Sequence, residues 1–312
     1  MGEIGPLART ILGKLGSAVL VLFVVATVAF GLVRISGDPL ALLLPPDASP
    51  EQAAGLAAGL GLDRPLWQQY LSYLGGLLRG DLGTSIFYDQ PVTSLIADRL
   101  PATALLAVSA LLLALVVAVP AGIVSAVRRG TRTDSAIGVA VLVGQSVPAF
   151  WTGIVLILLF AVSLRILPAA GYGSAANLVL PAVTLSIYSL AVIARLLRTS
   201  LVDVLSADFV RTARAKGAGP TRVVVGHALR NAALPVVTVI GLELGSLLGG
   251  AILTEQVFSW PGIGRLAVEA ITNRDFPLVQ GTVLFFAVVF VLVNLLVDLS
   301  YSVLDPRVRL RA

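Results

Sequence analysis

Six stretches of this 312-residue chain stay apolar for about twenty residues, the length a helix needs to cross a hydrocarbon core. No other feature limits the fold as strongly. Inside lipid every backbone N–H and C=O must find a partner within its own helix or in a closed barrel, and uncharged runs this long read as helices. They are expected at about Leu15–Val33, Pro101–Val127, within Ala136–Leu164, and at about Leu178–Leu197, Ala232–Thr254 and Leu278–Val297. Arg9 and Lys14 before the first run would also suit a secretory signal. Its length and the lack of a small-x-small cleavage pattern favour a retained span. Only 12% of the residues are charged, against about 25% in soluble domains.

The connections set the expected orientation. Arg9 and Lys14 precede the first span. Arg128, Arg129 and Arg132 follow the second, seven basic residues crowd the loop after the fourth, and Arg307, Arg309 and Arg311 follow the sixth. The other side carries fewer basic residues, diluted by acidic ones. Basic residues gather on the cytoplasmic side, so both termini are expected inside the cell. The expected architecture is an all-α integral membrane protein: one transmembrane domain over 1–312, with an extracytoplasmic loop at 35–100 and a cytoplasmic region at 203–235.

That cytoplasmic region is not a featureless loop. Asp203–Lys216 lacks Gly and Pro, and Leu201, Leu205, Phe209 and Ala213 recur every four residues, which predicts one helix with one apolar face. Gly217 suits a helix C-terminus, and Pro220 can open a second helix. Two helices joined by Gly217-Ala218-Gly219-Pro220 make a rigid knob. Arg195, Arg198, Arg211, Arg214, Lys216, Arg222 and Arg230 surround it. A solvated basic stretch that fixes orientation or meets anionic lipid explains the charge, but not the Gly/Pro corner or the spacing.

Several kinds of chemistry are excluded. There is no Cys, and His227 is the single His, so disulfides, iron–sulfur clusters and multi-His metal sites are absent. A phosphate-binding loop ends in Gly-Lys-Ser/Thr, whereas Lys14 is followed by Leu15 and Lys216 is preceded by Ala215. The chain has no nucleotide-binding loop of its own. The net charge of +5 says nothing of nucleic acid in a protein whose basic residues follow membrane orientation. Gly262–Ala267 matches a dinucleotide-type G-x-G-x-x-A pattern but has no βαβ context, and reads better as a turn opening an amphipathic helix.

A carboxylate inside a span is costly unless it is paired, wet or protonated. Glu243 lies at mid-membrane depth; with Gln145 and Ser146 it is a candidate for the translocation path, or else a helix–helix contact. Asp298 reads as a structural partner near the end of the sixth span. Gly241, Gly245 and Gly249 form a small-residue stripe for close helix approach, to a neighbour either within the chain or outside it. Pro120, Pro148 and Pro181 can kink their spans. A soluble helix is expected at Pro65–Leu78, carrying Trp67, Tyr70 and Tyr73, aromatics that suit an interfacial belt or a docking surface.

Thr212-Ala213-Arg214-Ala215-Lys216-Gly217, with His227-Ala228-Leu229-Arg230-Asn231-Ala232 and Leu234-Pro235, resembles the EAA motif of permease subunits of bacterial ABC importers. Arg99-Leu100-Pro101-Ala102-Thr103, Ser146-Val147-Pro148-Ala149-Phe150-Trp151, Val257-Phe258-Ser259-Trp260-Pro261-Gly262, Asn273-Arg274-Asp275-Phe276-Pro277 and Leu304-Asp305-Pro306-Arg307 narrow the resemblance to B-type permeases of the dipeptide/oligopeptide/nickel family. Thr212 stands where the motif usually has Glu.

The resemblance implies six spans in the type I importer fold, a second homologous permease, two cytoplasmic ATPases and an extracytoplasmic solute-binding protein. It implies no catalytic residue and no cofactor in this chain, ATP and Mg belonging to the ATPases. Phe209, Arg211, Thr212, Ala213, Arg214, Ala215, Lys216, Gly217 and Ala218 are the implied ATPase contacts. Phe258, Trp260, Pro261, Arg265, Trp67 and Tyr70 are expected to face the binding protein. Nickel or another small solute remains open as cargo. So does an ion-driven carrier working through Glu243 and Asp298, although the inverted repeats of such carriers are not seen.

Overall fold

A computed structural model of the protein describes residues 6–35, 44, 49–59 and 63–304. The helices are α1 (Pro6–Ile35), α2 (Pro50–Gly59), α3 (Leu66–Leu77), α4 (Val92–Val127), α5 (Arg132–Ser146) and α6 (Ala149–Leu156), the last running on as a π-helical stretch over Ile157–Ser163. They continue with α7 (Ala175–Leu205), α8 (Asp208–Ala215), α9 (Leu229–Gly250, led in by a π-helical stretch at Arg222–Ala228), α10 (Ile252–Val257), α11 (Ile263–Thr272) and α12 (Phe276–Leu304). Among the described residues the only β pairing is an isolated bridge between Thr84 and Pro91.

Five helical segments are long and apolar enough to cross a membrane: Gly13–Val33, Val92–Val127, Ala175–Leu205, Arg222–Gly249 and Phe276–Val297. The expected third span is not one helix. It is the pair α5 and α6, bent by 101°. Val147 is extended, as a residue before proline prefers, and Pro148 caps the new helix at φ −60°, ψ 134°. Pro120 and Pro181 lie inside unbroken helices instead.

Two spans are much longer than a bilayer requires. The 36 residues of α4 measure about 54 Å at 1.5 Å per residue, against a core of about 30 Å. The helix starts at Val92, inside the expected 35–100 loop. Its charged first turns, with Asp98 and Arg99, project beyond the hydrocarbon. The 31 residues of α7, about 46 Å, likewise carry Arg195, Arg198 and Asp203 past the apolar section.

The chain divides into two compact units, 1–101 with 262–291 and 102–261 with 292–312. In the first, Val92, Leu95 and Ile96 pack with Ile263, Leu266, Ala270 and Leu278. Gly281 lies so close to Val92 that a Cβ there would overlap its side chain. The Asp275 carboxylate knits the unit together. It accepts from the Ser85 hydroxyl and from the amides of Ile86 (3.2 Å), Phe87 (3.1 Å) and Leu278 (3.2 Å). Tyr70 of α3 shares a 2.7 Å hydrogen bond with Thr27 of α1 and meets the Phe30 ring edge-on. Burial pushes the Tyr73 phenol up to about 12, and its hydroxyl has no hydrogen-bond partner among the described residues.

In the second unit α7 is the central helix, with α5, α6 and α9 packed on it. Its buried side chains include Leu180, Leu185, Ile193, Leu197 and Leu201. On α4 the small residues Ala107, Ala110, Ala114 and Ala118 are fully buried at helical spacing, which lets backbones approach without interhelical hydrophobic attraction. A Cβ on Gly122 would stand 3.0 Å from the Ala194 carbonyl and 3.1 Å from Leu197. The glycine stripe of α9 finds a neighbour within the chain at two positions: Gly241 faces Val297 and Gly245 faces Val293. Gly249 faces nothing within 4 Å among the described residues.

Candidate functional site

The polar region after α7 differs from its expected form. Instead of one helix from Asp203 to Lys216, α7 runs on to Leu205, the chain breaks at Ser206–Ala207, and α8 starts at Asp208. The break re-aims the apolar face. Leu201 is buried on α7 and Val210 on α8, both fully, whereas Phe209 is exposed. Val210 is the buried residue of the short helix, which packs on the following element, where Val223 and Ala228 are also fully buried.

The corner closes as a complete Schellman turn. The Gly217 amide donates to Arg214 O at 2.9 Å and the Ala218 amide to Ala213 O at 3.1 Å. Gly217 takes φ +83°, the left-handed region that glycine enters without a Cβ penalty. Helix then resumes at Pro220.

With Val210 holding one side, the other is presented outward. Phe209, Arg211, Thr212, Arg214, Ala215, Lys216 and Gly217 are exposed, while Ala213 and Ala218 are half-buried. Six of these nine implied contacts (Phe209, Thr212, Ala213, Lys216, Gly217, Ala218) line one groove of about 420 Å³, together with Arg222 and His227. Thr212 turns its hydroxyl back on Asp208 O at 3.1 Å. Arg211 reaches Asp208 at 3.4 Å, with both side chains largely in solvent, a pair that contributes little. The groove's lining mixes apolar Phe209 and Ala213 with the cationic Lys216 and Arg222.

Arg198 does not belong to this exposed basic surface. Its guanidinium grips Asp134 of α5 through Nε to Oδ1 and Nη2 to Oδ2, both at 2.7 Å. The same carboxylate accepts from Ser125 Oγ at 2.6 Å and from the Gly130 amide at 3.0 Å. Both Asp134 oxygens are thus engaged, and the α4–α5 turn is tied to α7. Sequence reasoning missed Asp134 and assigned Arg198 to the knob. The available signal was an acidic residue within six positions of Arg128, Arg129 and Arg132.

Two of the candidate path residues, Glu243 and Ser146, have separate hydrogen-bond partners. Glu243 on α9 accepts from Ser189 Oγ of α7 at 2.6 Å, so it has a polar partner within the bundle. Ser146 bonds back to Leu142 O on its own helix at 2.8 Å, and Gln145 is half-buried on α5. The Asp298 side chain lies outside the described residues, as do Asp305, Pro306 and Arg307.

Two of the expected docking residues are corrected. Phe258 and Trp260 are each 1% exposed and offer no surface to a partner. Trp260 donates from Nε1 to Ala102 O at 2.9 Å and meets Tyr172 edge-on at 4.9 Å. Phe258 lies against Gly153 and accepts the Gly171 amide at its carbonyl. Arg265 pairs with Glu269 at 2.8 Å, and Pro261 is half-buried. Trp67 is 62% exposed, whereas Tyr70 is held by α1. Gly262 caps α11, so the glycine pattern there is a turn opening a helix.

Comparison with known proteins accords with this geometry. A family model described as the inner membrane component of binding-protein-dependent transport systems matches residues 118–310, and its N-terminal companion matches residues 7–108. The dipeptide transport system permease protein DppB of Escherichia coli (strain K12) is 44% identical, over 96% of this chain and 98% of that protein. The glutathione transport system permease protein GsiC of Escherichia coli (strain K12) is 42% identical, over 92% of this chain and 94% of that protein. Among solved structures, an inward-facing MetNI methionine ABC transporter superposes with a TM-score of 0.55 at 19% identity. That match covers 68% of this chain and 97% of the other, and it shows a shared fold. The chain belongs to the family of inner-membrane components of binding-protein-dependent transport systems.

Proposed function

We propose that this chain is a membrane-spanning permease subunit of an ATP-driven importer of short peptides. It forms the translocation path with a second, homologous permease and takes its cargo from an extracytoplasmic binding protein. Two cytoplasmic ATPases, which bind the ATP and Mg, move it through the α8 corner. The observation that carries this reading is that corner: a short helix pinned by Val210, closed by a Schellman turn at Gly217, with an open groove on its outward side. A transporter without a phosphate-binding loop must borrow its energy, and a rigid exposed handle transmits force where a flexible loop would absorb it. The short-peptide cargo follows the relatives, one named for dipeptides and one for glutathione.

The test is reconstitution in vesicles with the second permease, the ATPases and the binding protein. The complete set is expected to accumulate a radiolabelled dipeptide when ATP is supplied. Gly217→Asp distorts the turn and puts a carboxylate at the groove, and is expected to abolish solute-stimulated ATP hydrolysis while the chain still inserts. Unchanged stimulation would refute the handle. Uptake by the chain alone, driven by an ion gradient, would instead favour a carrier working through Glu243.

A further inference from the structure

Beside α1, within the first unit, lies a cavity of about 550 Å³ that no part of the transport reading uses. Val24, Val28 and Leu32 line it from α1, and Val279 and Val283 from α12. The lining is hydrocarbon except for one charged residue, Arg274, two positions before α12 begins. We propose that this groove holds one acyl chain of an anionic phospholipid, whose phosphate pairs with the Arg274 guanidinium.

Length argues for one acyl chain. The lining on α1 runs from Val24 to Val33, a rise of about 14 Å, close to the roughly 15 Å that is half of a hydrocarbon core. The groove is one leaflet deep.

Charge argues for an anionic headgroup. Arg274 is exposed and sits at φ +52°, a conformation uncommon for a residue other than glycine. The turn is fixed by the residue after it, because Asp275 is buried and already accepts from Ser85, Ile86, Phe87 and Leu278. Asp275 therefore has no oxygen to spare for its neighbour, and among the described residues no carboxylate pairs with Arg274. An unpaired guanidinium at the end of a hydrocarbon groove matches a phosphodiester above its acyl chain, and arginine suits phosphate in bidentate geometry.

The test uses the assembled transporter in nanodiscs of phosphatidylcholine doped with a phosphatidylglycerol that carries a diazirine on one acyl chain. Photolysis is expected to label peptides containing Val24–Val33 and Val279–Val283. Arg274→Gln, an exposed substitution outside the packed core, is expected to cut that labelling roughly fivefold, and Val28→Trp to remove it by filling the groove. If Val28→Trp fails to insert, Arg274→Gln decides alone. Equal labelling by a diazirine phosphatidylcholine, or labelling indifferent to Arg274, would overturn the proposal. Crosslinking of the same peptides to the second permease in place of lipid would overturn it too. None of these readouts depends on which solute is carried.

Discussion

The tie between Asp134 and Arg198 gives the sharpest test of how this bundle is held together. Asp134→Ala leaves three donors without their acceptor: the Arg198 guanidinium, Ser125 Oγ and the Gly130 amide. Breaking a fully buried pair costs about 3–5 kcal/mol. Here the Asp134 side chain is 9% exposed and that of Arg198 34%, so water reaches one partner and the expected loss falls to about 2–3 kcal/mol. Arg198→Lys keeps the charge but loses the two-pronged fit, and is expected to cost about half as much. Reversing the charges should not restore stability. An arginine at 134 would face the Gly130 amide, which can only donate. Reversible unfolding in mixed micelles by sodium dodecyl sulfate, followed by far-UV circular dichroism, gives the energies. The double-mutant cycle Asp134→Asn with Arg198→Gln is expected to show a coupling of about 1.5–3 kcal/mol. Additive single effects, or single effects below about 0.5 kcal/mol, would show that the pair is incidental.

Other expectations follow from packing and titration. Gly245→Leu is expected to destabilise the bundle by about 1–3 kcal/mol, because even a Cβ at this position stands 2.7 Å from Val293. Gly249→Ala, with nothing within 4 Å, should be neutral or stabilise by up to about 1 kcal/mol; the same micelle titration compares them. Trp260→Phe removes the indole donor from the Ala102 carbonyl and is expected to cost about 1–3 kcal/mol in that assay. The burial that lifts Tyr73 to about 12 favours its neutral phenol. Its contribution to stability is therefore complete below about pH 10 and is lost as the pH rises towards 12. Burial and the Glu269 hydrogen bond also push the Tyr88 phenol up, so absorbance at 295 nm should show late-titrating tyrosine that Tyr73→Phe reduces without abolishing; an unchanged titration would count against the burial of Tyr73.

The spans were legible because lipid leaves the backbone so few options. Leu278–Val297 and Leu15–Val33 are apolar on every side, and no other element suits such runs. What lay beyond the hydrocarbon was less legible. Nothing in the composition of Val92–Arg99 marks it as helix continuous with the second span, since its charges resemble those of a loop. The Ser206–Ala207 break was hidden by Leu205 and Phe209, which keep helical spacing while only Val210 is buried. Phe258 and Trp260 looked like surface anchors because aromatics near a span suit several environments. Their burial follows from Gly153 and the Ala102 carbonyl, more than a hundred residues upstream. The Asp134–Arg198 pair spans 64 residues, and no local pattern links its members.

These long-range ties converge on α7. Ser189 joins it to Glu243 on α9, and Arg198 joins it to Asp134 on α5. The two ties lie nine residues apart, about 14 Å along the helix axis. Eight residues beyond Arg198 the helix breaks, and α8 begins two residues later. A displacement of α8 therefore acts over a short junction on one stiff helix. That helix has polar attachments on two neighbours and apolar packing on a third, α6. Packed helices shift between discrete arrangements and do not deform continuously, so a push on the corner is either absorbed at Ser206–Ala207 or carried to α5 and α9 together. The two outcomes separate experimentally: spin labels on exposed positions of α5 and α9 should report the same two-state change on ATP binding, and Asp134→Asn should uncouple the α5 label while the α9 label still responds. Independent changes in the unaltered protein would place the hinge at the Ser206–Ala207 break and deny α7 the part of a lever.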